Sequence, residues 1–116
     1  MTTAEEYRTA SAELYDQAMF ELDAGDMRQA SEKLWGASAQ ALKSLAERRG
    51  WRHGSHGEFY RIIRRLRNEM DVAELRQQFA FASELHTNFY ENWLDESEIR
   101  DSAVHVSDFV DRLARL

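Results

Sequence analysis

No proline interrupts the 116 residues of this chain, and its five glycines stand at Gly25, Gly36, Gly50, Gly54 and Gly57. A backbone with so few breakers has little to stop a helix once its first turn has formed. The punctuation falls mostly at Gly25 and in the stretch from Gly50 to Gly57, so the sequence predicts long helices joined by short turns, with no strand.

Capping residues and apolar spacing divide the chain further. The first helix is expected after a Thr2/Thr3 cap, with Glu5 and Glu6 as capping-box partners, and runs to about Ala24 on a stripe of Tyr7, Ser11, Leu14, Ala18 and Leu22. Gly25 ends it and Asp26 caps the second, which makes a tight helical hairpin. The second helix is expected from Met27 to about Arg49, with Met27, Ala30, Leu34, Ala41 and Leu45 inward and Trp35 and Leu42 on a flank. So wide a stripe implies two or more neighbours. Ser55 with Glu58 opens a third helix buried through Phe59, Ile62, Ile63, Leu66 and Met70. Asp71 with Glu74 opens a fourth, whose stripe reads Leu75, Phe79, Ala82, His86, Phe89 and Trp93. Asp95 with Glu98 opens a fifth, on Ile99, Ala103, Val106, Val110 and Leu113. The expectation is one all-α domain over residues 1–116, an antiparallel up-and-down bundle of about five helices. The first two helices look like a tetratricopeptide pair, but no second copy follows.

Apolar residues make up 43% of the chain and aromatics 11%, too many for a disordered acidic polymer, so the net charge of −6 decorates a folded surface. Absence of cysteine excludes disulfides, zinc thiolates and thiol nucleophiles. The N-terminal stretch has neither a basic leader nor an apolar core, and no run reaches membrane-spanning length. A cytoplasmic protein is expected.

The charge is unevenly spread. Between Arg48 and Arg67 lie seven arginines and one acid, Glu58, so this segment is +6 and the remainder −12. On a helical wheel Arg61, Arg64 and Arg65 fall at about 200°, 140° and 240° from the buried face, an outward ridge, while Arg67 flanks the stripe. The ridge reads either as phosphate recognition or as a counter-charge for acidic helices of the same chain or a dimer mate. Arg52, His53 and His56 surround the Ser55 cap, where a helix N-terminus favours anions. The candidate phosphate or nucleic-acid set is therefore Arg52, His53, His56, Arg61, Arg64 and Arg65. Global acidity opposes steering toward duplex nucleic acid and leaves a local contact with a single strand or a nucleotide. Trp51 reads either as a base-stacking platform or as a plug over the end of the bundle.

The remaining polar residues are weaker signals. His53 and His56 have metal-clip spacing, but only Glu58 or His86 are in obvious reach as further ligands, so neither a metal nor a cofactor is called for. His86 falls on the fourth stripe, either as a core histidine or as a cavity liner, with Tyr90 and Glu91 one turn on. Phe81 falls off that stripe, which suggests a second apolar contact and a homodimer.

Two stretches, "GDMRQASEKLWGASAQALKSLAERRGWRHGSH" and "LHTNFYENWL", resemble the PaREP-one family, a branch of the HEPN-like prokaryotic helical proteins. The resemblance covers nearly the whole chain. It implies an up-and-down helical fold and frequent homodimers, and in related HEPN groups an RNA-cleaving toxin or the partner of a nucleotidyltransferase. It implies no established activity for the PaREP branch itself. The HEPN catalytic pattern, an arginine four to six residues before a histidine, is matched by Arg100 and His105. Five residues along a helix turn by about 140°, however, so these two should splay. His86 matches the family histidine in position, but Phe79, Ala80 and Phe81 stand where the arginine would be. The leading expectation is thus a binder of RNA or a nucleotide phosphate rather than an enzyme. The alternatives are a non-catalytic homodimeric interaction module partnering a nucleotidyltransferase or defence-type protein, and a metal-independent ribonuclease using Arg100 and His105.

Overall fold

The computed structural model describes residues 2–116, which form five helices: α1 (Ala4–Asp23), α2 (Met27–Arg49), α3 (His56–Arg65), α4 (Val72–Glu91) and α5 (Glu96–Ala114). Each begins where a side chain can satisfy its orphan amides. Thr3 and Asp95 form full capping boxes with Glu6 and Glu98, and Asp26, Ser55 and Asp71 accept from Gln29, Glu58 and Glu74 amides. Two ends use the left-handed region: Gly50 at φ 71° closes α2, and Asn92 at φ 53° closes α4. Between α1 and α2 the chain reverses at Gly25, φ 87°, where a side chain would be strained.

The second helix is the axis of the bundle, in contact with all four others. Small residues make this possible: Ala30, Ser31, Ala37, Ser38, Ala39, Ala41, Ser44 and Ala46 are all buried, so α2 is covered nearly all round. Two serines tie α1 against it, Ser11 Oγ donating to Ala37 O at 2.7 Å and Ser44 Oγ to Ala4 O at 2.8 Å. Leu22, Leu34, Leu42, Leu45, Phe79, Leu85, Ile99 and Phe109 fill the space between helices with no exposure. Each such side chain contributes about 1.5–3 kcal/mol by leaving water.

Helix α4 departs from the expected stripe. Its buried face is Leu75, Gln78, Phe79, Ala82, Leu85 and Asn88, while His86 and Phe89 are half-buried and Trp93 lies beyond the helix, 63% exposed. The face is rotated because α4 packs against both α2 and α5, and two amides are buried there, Asn88 bonded through both polar atoms and Gln78 through its Nε2 while its Oε1 stays unpaired among the described residues. Gln78 Nε2 donates to Asp108 at 2.7 Å. Asn88 donates to Ser31 Oγ at 2.9 Å and accepts from the Trp93 and Leu94 amides, both at 2.8 Å, which fixes the turn into α5. In α5 the same shift buries Phe109 and leaves Val110 half-buried. Helix α3 ends before Met70, which is half-buried in the following turn.

Candidate functional site

Helix α3 has the cleanest division of faces in the molecule. Phe59, Ile62 and Ile63, with Leu66 at its end, pack on α2 and α4. Helical spacing then forces Arg61, Arg64 and Arg65 outward. All three are exposed, as are Arg52 in the preceding turn and Arg67 in the following one. These five arginines line one open groove of about 800 Å³ with Gly50, Trp51, Glu58, Ile62 and Asn68. None of the five forms an ion pair among the described residues.

Nearby arginines behave differently. Arg49 makes a two-pronged bond to Glu69, at 2.9 and 2.8 Å, and reaches Leu116 O. That bond from Arg49 holds the Glu69 carboxyl below its usual range, and the hydrogen bond to Glu69 raises the Arg49 guanidinium. Arg48 donates to Leu113 O. Glu69, four residues beyond Arg65, is therefore already used. Glu58, inside the groove, turns one oxygen to the Gly54 amide at 3.1 Å.

Trp51 is half-buried and packed against the core, held by the Trp51 amide bond to Ala46 O at 2.9 Å. The guanidiniums of Arg65 and Arg49 stand over its ring at 4.6 and 5.3 Å. Its packing fits the plug at the end of the bundle, and its ring serves as a shelf for two guanidiniums.

His53 and His56 do not join this groove. The turn between α2 and α3 sends them to a second hollow of about 330 Å³, lined also by Glu32, Trp35, Gln40 and Lys43. The six expected phosphate-binding residues are thus divided, Arg52, Arg61, Arg64 and Arg65 on one side of the turn and the two histidines on the other. His53 Nε2 meets Glu47 at 2.7 Å and its ring stands edge-on to Tyr7. His56 lies flat on Trp35, ring centres 4.9 Å apart and planes 6° apart. The two turn to different partners and do not form a clip.

His86 is not a closed core histidine. Its side chain is 31% exposed, and its Nδ1 meets Glu32 Oε2 at 3.0 Å. The ring stacks on Trp35 at 5.0 Å, beside His56 at 5.9 Å, with Tyr90 edge-on at 5.7 Å. Glu91 is exposed and takes no part. Glu32, Trp35 and Glu47 were not marked by motif; Glu32 and Trp35 share a face of α2 at a three-residue step, and only the docking of α2 on α4 gives that face its meaning. Among the described residues no three metal-ligating side chains gather.

On α5 the pair of catalytic spacing diverges. Arg100 reaches Asp23 of α1 at 3.0 Å and Glu96 at 3.6 Å, and the bond to Asp23 raises its guanidinium. His105 stacks instead on Phe81 of α4, centres 4.5 Å apart. Phe81 is therefore half-buried within its own chain; among the described residues the large exposed apolar side chains are Phe20, Tyr90, Trp93 and Val104. A further hollow of about 650 Å³ between α1, α2 and α5 is lined by small side chains such as Ala12, Ala41 and Ser44 together with the charged side chains of Glu5, Arg8, Glu13, Asp16 and Arg48. No helix among the described residues is long and apolar enough to cross a membrane.

No curated protein matches the sequence. A crystal structure of a protein from Sulfolobus solfataricus is similar in fold, with a TM-score of 0.79 at 23% identity over 91% of this chain and 94% of that one. The sequence pattern of the archaeal PaREP1/PaREP8 family matches residues 6–110. With nearly all of the helical domain inside that match, the chain belongs to the archaeal PaREP1/PaREP8 family.

Proposed function

We propose that this protein binds phosphate-bearing ligands, RNA or nucleotide, in the arginine groove of α3. The observation that carries the reading is the set of five unpaired guanidiniums, Arg52, Arg61, Arg64, Arg65 and Arg67, around one concavity. The chain holds 21 acidic residues, ample to neutralise them, and yet its ion pairs are made elsewhere. Like charges three and four residues apart destabilise a helix by a few tenths of a kcal/mol each. A ligand that supplies the missing negative charge relieves this repulsion and gains charge-assisted hydrogen bonds to guanidinium forks. Global acidity limits the attraction to ligands that reach the groove itself.

The test is fluorescence anisotropy of a labelled single-stranded oligoribonucleotide with wild type and with Arg61→Gln/Arg64→Gln/Arg65→Gln. Binding by the former and its loss in the latter supports the reading; equal binding by both removes it. A second reading, a homodimeric or heteromeric interaction module of the HEPN-like type, is favoured by Tyr90 and Trp93, 67% and 63% exposed at the end of α4. Sedimentation of wild type against Tyr90→Ser/Trp93→Ser tests it. A shift from dimer to monomer supports that module, and a wild-type monomer opposes the homodimer.

A further inference from the structure

Resting on the arginine-groove reading, we infer that the groove selects a condensed phosphate chain: the triphosphate of a free nucleotide or of an RNA 5′ end, rather than the spaced phosphates of a nucleic-acid backbone. Three observations lead there. The first is charge density. Five arginines against one glutamate leave the groove at +4. Arg61, Arg64 and Arg65 lie within about 6 Å of rise along α3, and Arg52 and Arg67 flank them. Phosphates of a single strand are separated by a sugar, so few enter such a span, each with one charge. Phosphates joined through shared oxygens bring three to four charges into the same space, about enough to neutralise it.

The groove offers no open aromatic face for a base. Its aromatic ring, Trp51, is occupied by Arg65 and Arg49, and its other large apolar residue, Ile62, is 1% exposed. Proteins that hold single strands without sequence preference use open aromatic faces along a basic track. Here only the basic half of that arrangement is present. The third observation is rigidity. Arg65 is held over the indole, and the ridge rises from a helix anchored by Phe59, Ile62, Ile63 and Leu66, so the arginine backbones stand at fixed spacing and one guanidinium is already placed.

The experiment is competition against a labelled 5′-triphosphorylated oligoribonucleotide, in chelator and without magnesium, which would otherwise neutralise the phosphates. Competitors are tripolyphosphate, ATP, GTP, pyrophosphate, orthophosphate and the same oligonucleotide with a 5′-hydroxyl. The expected order places tripolyphosphate, ATP, GTP and the triphosphorylated strand together, at least about tenfold tighter than pyrophosphate or the 5′-hydroxyl strand. Arg61→Gln/Arg64→Gln loses this preference with its circular dichroism unchanged, and Arg76→Gln/Arg115→Gln, a charge-matched pair of changes outside the groove, keeps it. Two results overturn the inference. If the 5′-hydroxyl strand binds as tightly as the triphosphorylated one, still dependent on Arg61 and Arg64, the groove binds backbone and only this inference falls. If no phosphate competes better than orthophosphate, the arginine-groove reading falls with it.

Discussion

Asn88 is fully buried at the junction of α2, α4 and the turn into α5, and both its side-chain nitrogen and its side-chain oxygen have partners. Asn88→Ala removes the donor to Ser31 Oγ and the acceptor shared by the Trp93 and Leu94 amides. Three hydrogen bonds at about 1 kcal/mol each give a loss of roughly 3 kcal/mol. For a domain of this length each kcal/mol moves the melting temperature by about 4 °C, so the midpoint should fall by about 12 °C. Thermal and urea unfolding followed at 222 nm measure both quantities. Ser31→Ala should cost only about 1 kcal/mol, because both turn amides keep their acceptor, and the double mutant should show coupling of about the same size. An Asn88→Ala protein less than about 1 kcal/mol below wild type would refute the argument that this side chain fixes the turn.

Acid should destabilise the fold through carboxyls that bond more strongly in the folded state. The Gln78 amide, then Arg112, holds Asp108 below the ordinary carboxylate range, and Arg49 does the same for Glu69. Groups with depressed folded values stabilise above about pH 4 and lose that contribution as pH falls through the folded values, so Asp108→Asn should flatten the acid limb of a stability–pH curve. A Cβ on Gly36 would meet Leu14 Cδ1 at 3.1 Å. Gly36→Leu should therefore part α1 from α2 at a cost of about 1–3 kcal/mol in urea unfolding. Purified protein should show little ribonuclease activity, since Arg100 and His105 turn to opposite neighbours. Robust cleavage that disappears in His105→Ala would contradict this.

The helices were legible because their determinants are local. Asp26, Ser55, Asp71 and Asp95 announced their starts, and Gly25 and Gly50 two of their turns. Outward projection of Arg61, Arg64 and Arg65 followed from helical geometry alone. The errors came where burial depends on a neighbour's position. A wheel drawn for α4 favours Phe89 and Trp93 over Gln78 and Asn88, because nothing local says that Asp108 and Ser31 stand ready to receive those amides. The same limit placed His53 and His56 beside the arginines. They are close in sequence, but the turn from Gly50 to Ser55 carries them to the far side, toward Trp35 and Glu47. Whether the arginines were counter-charges could not be read from composition either, since it depends on which acids the folded chain brings within reach.

The central claim is that unpaired arginines on α3 take their counter-charge from a phosphate ligand. The most direct test is the salt dependence of affinity for a short 5′-triphosphorylated oligoribonucleotide, with wild type and with Arg61→Gln/Arg64→Gln/Arg65→Gln side by side. Each phosphate neutralised on a single strand contributes about 0.7 to the slope of log affinity against log salt, so removing three arginines should make the slope shallower by up to about 2. A steep wild-type slope that flattens in the variant is the predicted result. Equal slopes in the two proteins, or a wild-type affinity indifferent to salt, would contradict the account.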